Sequence, residues 1–366
     1  MGYVFMAKMD STTVYHELVE MLRDLGLNWV IRQVGETVID GKTIEDKMPR
    51  RMYPALKIVD FSEAEKLLVL TAAITRSLVE ITAIESWIEK FCQSSEIESE
   101  IVFYDAEELE DKAWHFTSDD LANRRKRANN LQSLLERLQN AVIDDEIDSQ
   151  LVGEIRTKSA DILNPHFQEF ERVKDVFKLY IFSLVLTAAK NEGAIISYKN
   201  VEDHQISRLI LRRTPSKIHG DTHLYTYGVI QFPNKPLLEV HLGVKLQGKS
   251  WILHECDLLV LHEQEAHLCR AKKREPRTSK VVLLSETSYF SSILKTAEAR
   301  SFLGLVSDIR ARGECYFITN TTSNAATKLL TMANKKWEHN IAPETNDVNR
   351  LIYSLQSIFK DFKARF

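Results

Sequence analysis

The sequence predicts a mixed α/β domain in the second half of the chain, preceded by a mostly α-helical region. From residue 194 onward, short runs rich in Val, Ile, Leu and aromatic residues are separated by Gly, Pro and Ser, which is typical of β-strands. Before residue 160, apolar residues recur mainly at helical spacing. A chain of 366 residues suits two domains. We therefore predict a helical N-terminal domain over residues 1–160 and an α/β domain over residues 161–366.

Three helices are predicted in the first region. Asp10-Ser-Thr-Thr can cap a helix from Val14 to Leu25, and Ser62-Glu-Ala-Glu is a capping box that opens an apolar helix running to about Phe91. A third helix is predicted from Ser118 to about Ala141, and its basic run 124–127 is interpreted as a solvated helix face. We expect this region to serve recognition or regulation, or assembly as a homodimer or with a partner protein.

Composition excludes some classes of protein. The chain is 44% hydrophobic and 27% charged, with a net charge of -4, which is unlike a general histone-like nucleic-acid binder but compatible with one local basic patch. Its four cysteines have no CxxC spacing, so we expect reduced thiols and a cytoplasmic protein. No secretory signal is recognised at the N-terminus. The apolar stretch 176–189 is too short to cross a membrane and carries Lys178, so no membrane partner is expected.

Two acidic residues on predicted strands of the α/β region are candidate ligands for a metal ion. Asp257 lies on a predicted strand, and Glu286 ends the next apolar strand, Val281-Val-Leu-Leu-Ser. The pattern then predicts a helix over 291–311, a strand over 314–320 and a Ser/Asn-capped helix over 323–337. Hydrolysis of a phosphodiester needs a hard cation, and Mg²⁺ accepts one or two carboxylates together with water and phosphate oxygens. Acids on adjacent strands that face the same side meet that need.

This order of elements around Asp257 and Glu286 resembles the PD-(D/E)XK nuclease superfamily, and its Mrr-like restriction enzymes most of all. The resemblance covers roughly residues 165–340. It implies a restriction-endonuclease-like core, Mg²⁺ or Mn²⁺ bound by Asp257 and Glu286, and a backbone carbonyl ligand from Thr287. It also implies a metal-dependent endonuclease that hydrolyses DNA in defence against foreign DNA, an expectation that rests on fold-level analogy alone.

The chain departs from the family at one position. The catalytic lysine of the family falls at Ser288, which cannot supply a positive charge. Lys295, on the first turns of the following helix, is the predicted substitute. The alternative is a catalytically degenerate nuclease-fold subunit that binds nucleic acid or a partner without cutting. A third interpretation places the function in the helical half, as a toxin or partner-binding module.

Further acids and bases extend the predicted site. Glu255 shares strand parity with Asp257, and Glu239 lies on the partner strand of a hairpin, so both are candidate metal ligands. Five His and Cys residues between 254 and 269 lack the spacing of a zinc finger. The basic loop between the two acid-bearing strands predicts phosphate contacts, to DNA rather than RNA, through Arg270, Lys272, Lys273, Arg274, Arg277 and Lys280.

Overall fold

The computed structural model describes residues 63–105, 113–143, 150, 170–202, 204–219, 225–289, 296–309, 313–321 and 323–366. Predictions that concern residues 1–62 lie outside this part, and so does Lys295. The chain divides into two compact units: residues 1–82 with 122–170, and residues 83–121 with 171–366. Every strand among the described residues lies in the second unit, which is described below.

The helical pattern of the first region is present in two long helices. Helix α1 spans Glu63–Ser94 and helix α2 spans Ser118–Ile143, close to the predicted bounds. In the second unit, the C-terminal part of α1 buries Ile84, Ile88 and Cys92. This part of α1 therefore contributes apolar side chains, and the buried Glu85, to the core of the second unit.

A small three-stranded sheet follows, with strand order β2-β1-β4. β1 (Ile101–Tyr104) pairs antiparallel with β2 (Trp114–Phe116) and parallel with β4 (Ile210–Arg212). Sequence patterning did not predict β1 and β2, because each is three or four residues long and they lie in an acidic stretch. Phe103 stacks on Trp114 with ring centroids 4.4 Å apart, so the pair buries an aromatic face that compensates for the short strands.

The main sheet has seven strands in the order β10-β9-β8-β7-β6-β5-β3. Neighbours from β3 to β8 are antiparallel, whereas β8, β9 and β10 run parallel to one another. The sheet is therefore mixed, as predicted. The strands span β3 (Ile195–Asn200), β5 (Thr226–Gln231), β6 (Leu238–Gln247), β7 (Leu253–His262), β8 (Val281–Ser288), β9 (Glu314–Thr319) and β10 (Lys336–Glu338).

In the part of the chain that the structure describes, five helices accompany the sheet: α3 (Phe170–Asn191), α4 (Glu263–Lys272), α5 (Thr296–Ile309), α6 (Asn324–Met332) and α7 (Asn346–Arg365). A core cluster joins Leu284 and Phe317 of the sheet to Phe302 of α5 and Leu330 of α6. α3 approaches the sheet closely at Gly228, where a Cβ atom would lie 3.2 Å from the Leu186 side chain. None of the described helices has the length and apolar character that a membrane crossing needs.

Two sequence predictions are corrected here. The basic stretch after residue 270 was predicted as a loop, but residues 263–272 form α4, and only the following residues form a loop with a short 3-10 helix, Thr278–Lys280. The helix predicted over 323–337 ends at Met332, and residues 336–338 form strand β10. Asn334 has a φ of 50°, in the left-handed region, and this conformation ends the helix and redirects the chain into the strand.

Candidate active site

Asp257 and Glu286 lie side by side in the main sheet. Leu258 of β7 pairs with Ser285 of β8, and Asp257 and Glu286 are the next residues of these two strands. Beyond that pair, the Asp257 carboxylate accepts a hydrogen bond from the backbone N–H of Thr287, the residue after Glu286. The structure therefore brings together the two acids that the sequence singled out.

Both oxygens of the Asp257 carboxylate have partners. Oδ2 accepts a hydrogen bond from the backbone N–H of Thr287 at 2.9 Å and another from the Thr287 hydroxyl at 3.3 Å. Oδ1 lies 2.7 Å from the Nζ atom of Lys178, and the two side chains are only 16% and 14% exposed. The carboxylate is thus fixed in orientation and paired with a cation in a largely buried place.

Lys178 is a candidate site residue that sequence analysis missed. It lies on α3, in an apolar helical stretch where its charge was noted only as an argument against a membrane span. Burial disfavours its charged form, but the carboxylates of Asp257, Asp175 and Glu286 raise the pKa of Lys178 above its ordinary value. The signal available in the sequence was one lysine on the buried face of a helix, and nothing local indicates which acid it meets.

The carboxyl group of Glu286 has a raised pKa. Burial first and the nearby Asp257 carboxylate second raise the pKa of Glu286 well above its usual value, while Lys178 offsets this only in part. Its Oε1 atom is buried and has no hydrogen-bond partner. The side chain lines a cavity of about 450 Å³ between the strands and α5, together with His254, Glu255 and Ser288. A buried carboxyl oxygen that lacks a partner is a ready ligand for a cation.

Replacing Glu286 with glutamine should therefore stabilise the metal-free protein. A raised folded-state pKa means that the stabilising contribution of the proton is complete below the ordinary pKa of glutamate and is lost as the pH rises through the folded pKa. The neutral amide avoids that loss, so Glu286→Gln should gain about 1 kcal/mol at pH 8 and little at pH 4. Thermal unfolding in EDTA from pH 4 to 8 measures the difference.

The same unfolding series with Mn²⁺ supplies the control. A cation that binds only the folded wild type raises its unfolding temperature, whereas Glu286→Gln should lose most of that gain. A variant that is less stable than the wild type at every pH, with or without Mn²⁺, would show that Glu286 has a packing role instead.

Helix α3 is fixed to the small sheet one turn before Lys178. Asp175 Oδ2 accepts hydrogen bonds from Arg213 Nε at 2.9 Å and from Trp114 Nε1 at 3.3 Å. Burial raises the pKa of Asp175, and Arg213 partly offsets the effect. Arg213 follows β4 and Trp114 opens β2, so the small sheet sets the position of α3 beside the site.

Of the three other predicted metal ligands, two lie near Asp257 and Glu286 and one does not. Glu255 lines the same cavity as Glu286, with its side chain 64% exposed and 3.7 Å from Lys245. Thr287 contacts Asp257 as a hydrogen-bond donor, a role that sequence analysis did not assign to it. Glu239 pairs with Leu261, four residues along the ladder from Asp257, which corresponds to ~13 Å. The structure therefore brings Glu255 and Thr287 to the acids and leaves Glu239 apart from them.

Glu239 belongs to a separate buried network. Its carboxylate accepts two hydrogen bonds from Arg270, at 2.7 and 2.8 Å, and lies 2.9 Å from His241 Nε2. Burial opposes ionisation of Glu239, but Arg270 and His241 keep its pKa below the ordinary value. Its carboxylate also lies within 4.8 Å of ligand atoms of Glu263 and His267. Because Arg270 already neutralises Glu239, that grouping alone does not indicate a metal ion.

The predicted nucleic-acid residues divide into paired and exposed groups. Arg270 is paired with Glu239, and Arg274 contacts Glu265 at 2.7 Å, so both guanidinium groups serve the fold. Leu261 pairs with Val281, which places this basic stretch at the end of β7 and β8 away from the acids. The exposed basic side chains that remain are Lys272, Lys273, Arg277 and Lys280.

The chain matches no family model, and no curated protein or solved structure matches it. The resemblance to PD-(D/E)XK nucleases therefore rests on residues and element order within this chain. Among the described elements, β7 and β8 carry the two acids and are followed by α5, β9 and α6, as the sequence predicted.

Proposed function

We propose that this protein is a metal-dependent nuclease that hydrolyses phosphodiester bonds of DNA. One observation carries the proposal: two largely buried acids on adjacent strands, Asp257 and Glu286, lie together, Asp257 is paired with Lys178, and Glu286 lines a cavity of about 450 Å³. Grouping two acids and a lysine in a largely buried place is costly to stability, and a carboxyl with a raised pKa beside a cavity, as Glu286 is, is typical of a functional site.

The donor set fits Mg²⁺ or Mn²⁺. Asp257 and Glu286 offer hard carboxylate oxygens, and the Oε1 atom of Glu286 is buried without a partner. Ions of this kind bind through one or two carboxylates and leave their other positions to water and phosphate. When bound, the ion would supply charge neutralisation on the phosphate and acidify an attacking water. The imidazole of His254 lines the same cavity as Glu286 but is paired with Asp308 at 2.7 Å, so the donors that the two acids offer are hard oxygens, which suit a hard cation.

The protein groups would have distinct tasks. Thr287 orients Asp257 through its backbone N–H and its hydroxyl. Lys178 supplies the positive charge that Ser288 cannot, and from α3 it can stabilise charge on a phosphate oxygen. Glu255, exposed at the same cavity, is placed to position water. The exposed cations Lys272, Lys273, Arg277 and Lys280 would hold flanking phosphates.

The deciding experiment is cleavage of plasmid and single-stranded DNA with Mg²⁺ or Mn²⁺, comparing the wild type with Asp257→Asn. Loss of a metal ligand should lower the rate by about a thousandfold, since removal of several kcal/mol of transition-state stabilisation has that effect. Asp361→Asn, an exposed acid on α7, is the matched control and should cut normally. Wild-type protein that retards DNA on a gel but never cuts it would instead establish a non-cutting binding subunit.

The cellular setting stays an expectation of the resemblance. Mrr-like enzymes imply defence against foreign DNA in the cytoplasm, and fold-level analogy alone supports that assignment. Partner binding through the helical region is likewise a proposal. Co-purification of another protein with the full chain would test it.

A further inference from the structure

The Asp257 carboxylate offers a cation only one of its oxygens. Oδ2 already accepts both the backbone N–H and the hydroxyl of Thr287. Two lone pairs on a carboxylate oxygen accept two hydrogen bonds, so Oδ2 is saturated. An entering cation must therefore coordinate Oδ1, and Lys178 Nζ is 2.7 Å from that atom.

The second acid of the pair lacks a partner of this kind. Glu286 Oε1 is buried without a hydrogen bond, although Lys178 is near enough to influence the pKa of this carboxyl. The Lys178 ammonium therefore forms an ion pair with the Asp257 carboxylate, and it influences the Glu286 carboxyl only electrostatically. Asp257 Oδ1 and Glu286 Oε1 are the two oxygens that would hold a divalent ion, and such an ion would neutralise both carboxylates, whereas Lys178 is paired with Asp257 alone.

An ammonium and a divalent ion on the same oxygen would be close neighbours of like charge in a largely buried site. Such repulsion is strong where water is scarce. The lysine side chain is a flexible four-carbon stem, whereas its helix is fixed by Asp175, Arg213 and Trp114. The repulsion between the ammonium and the divalent ion is therefore reduced by movement of the Lys178 side chain, while α3 stays in place.

We propose that Lys178 occupies the cation position of Asp257 in the metal-free protein and is displaced from it when a divalent ion binds, which frees the ammonium to contact the substrate phosphate. This inference rests on the proposed function, because it concerns the same two acids. It assigns one lysine two successive positions: first as a counterion that keeps the empty site intact, and then as a phosphate contact.

Pulse labelling with an amine-acylating reagent tests the displacement directly. Reaction at each lysine of the full-length protein is followed by mass spectrometry, in EDTA and in Mn²⁺. Labelling of Lys178 should increase about tenfold with Mn²⁺, because the ion pair with Asp257 no longer protects it. Lys174, exposed and one turn earlier on α3, should react equally in both conditions. In Asp257→Asn, Lys178 should react readily with or without the ion.

Calorimetry with Mn²⁺ gives the complementary measurement. Removal of the competing ammonium in Lys178→Met should tighten Mn²⁺ binding by about tenfold, while Lys174→Met should leave it unchanged. If the wild type binds Mn²⁺ but Lys178 stays protected, the displacement is refuted and the proposed nuclease function stands. If the wild type binds no divalent ion, both proposals fail together.

Discussion

Replacing Lys178 with methionine should reduce DNA cleavage by about a hundredfold to a thousandfold, the usual effect of removing one electrostatic contact to developing charge. The methionine keeps the length and apolar stem of the lysine, so α3 should remain packed. Binding of DNA at low salt should change little, because one buried cation contributes little to the phosphate contacts made by exposed lysines. Single-turnover cleavage with Mg²⁺ measures the effect.

Lys295→Met, assayed beside it, decides between the two candidate lysines. The sequence favoured Lys295, whereas the structure places Lys178 2.7 Å from Asp257. Loss of cleavage in Lys295→Met together with normal cleavage in Lys178→Met would restore the sequence-based assignment and make Lys178 a structural counterion. Lys174→Met serves as the control for removing a lysine from the same helix and should cut like the wild type.

Replacing Arg270 with alanine should destabilise the fold by about 3–5 kcal/mol, the cost of leaving one partner of a buried ion pair alone. The Glu239 side chain is 1% exposed and loses both of its hydrogen bonds from the guanidinium. For a unit of this size the unfolding temperature should fall by roughly 10 °C. Thermal unfolding at neutral pH measures the change.

Lys272→Ala, on the same helix but exposed, is the matched control. It should change stability by less than about 0.5 kcal/mol, as surface substitutions usually do. Its effect should instead appear as weaker DNA binding with a smaller salt dependence. An Arg270→Ala protein with wild-type stability but weakened DNA binding would return Arg270 to the nucleic-acid surface where the sequence first placed it.

The comparison of these residues shows which features the sequence could predict. Alternation and apolar runs are local properties, so the strands that carry Asp257 and Glu286 were predictable, together with their adjacency. Partner choice is not local. Arg270 and Lys272 lie in the same basic stretch of sequence. Arg270 nevertheless pairs with the buried Glu239, whereas Lys272 is exposed.

Lys178 escaped prediction for the same physical reason. The acid that it meets lies about 80 residues further along the chain, and only tertiary packing joins them. The strands β1 and β2 were missed because they are too short to show a period, and their stability comes from the Phe103–Trp114 contact and from pairing with the distant β4. Such features follow from the fold as a whole.

The ion pair between α3 and β7 joins residues that are synthesised at different times. Lys178 precedes Asp257 by about 80 residues and Glu286 by about 110, so during synthesis the helix emerges long before either acid. Until β7 and β8 have paired, Asp257 cannot receive the hydrogen bonds of Thr287, and the lysine has no carboxylate to meet. The site therefore forms only after the chain has been synthesised through β8. A product that stops before β8 contains Lys178 and Asp257 but lacks Glu286 and Thr287, so it cannot form the site.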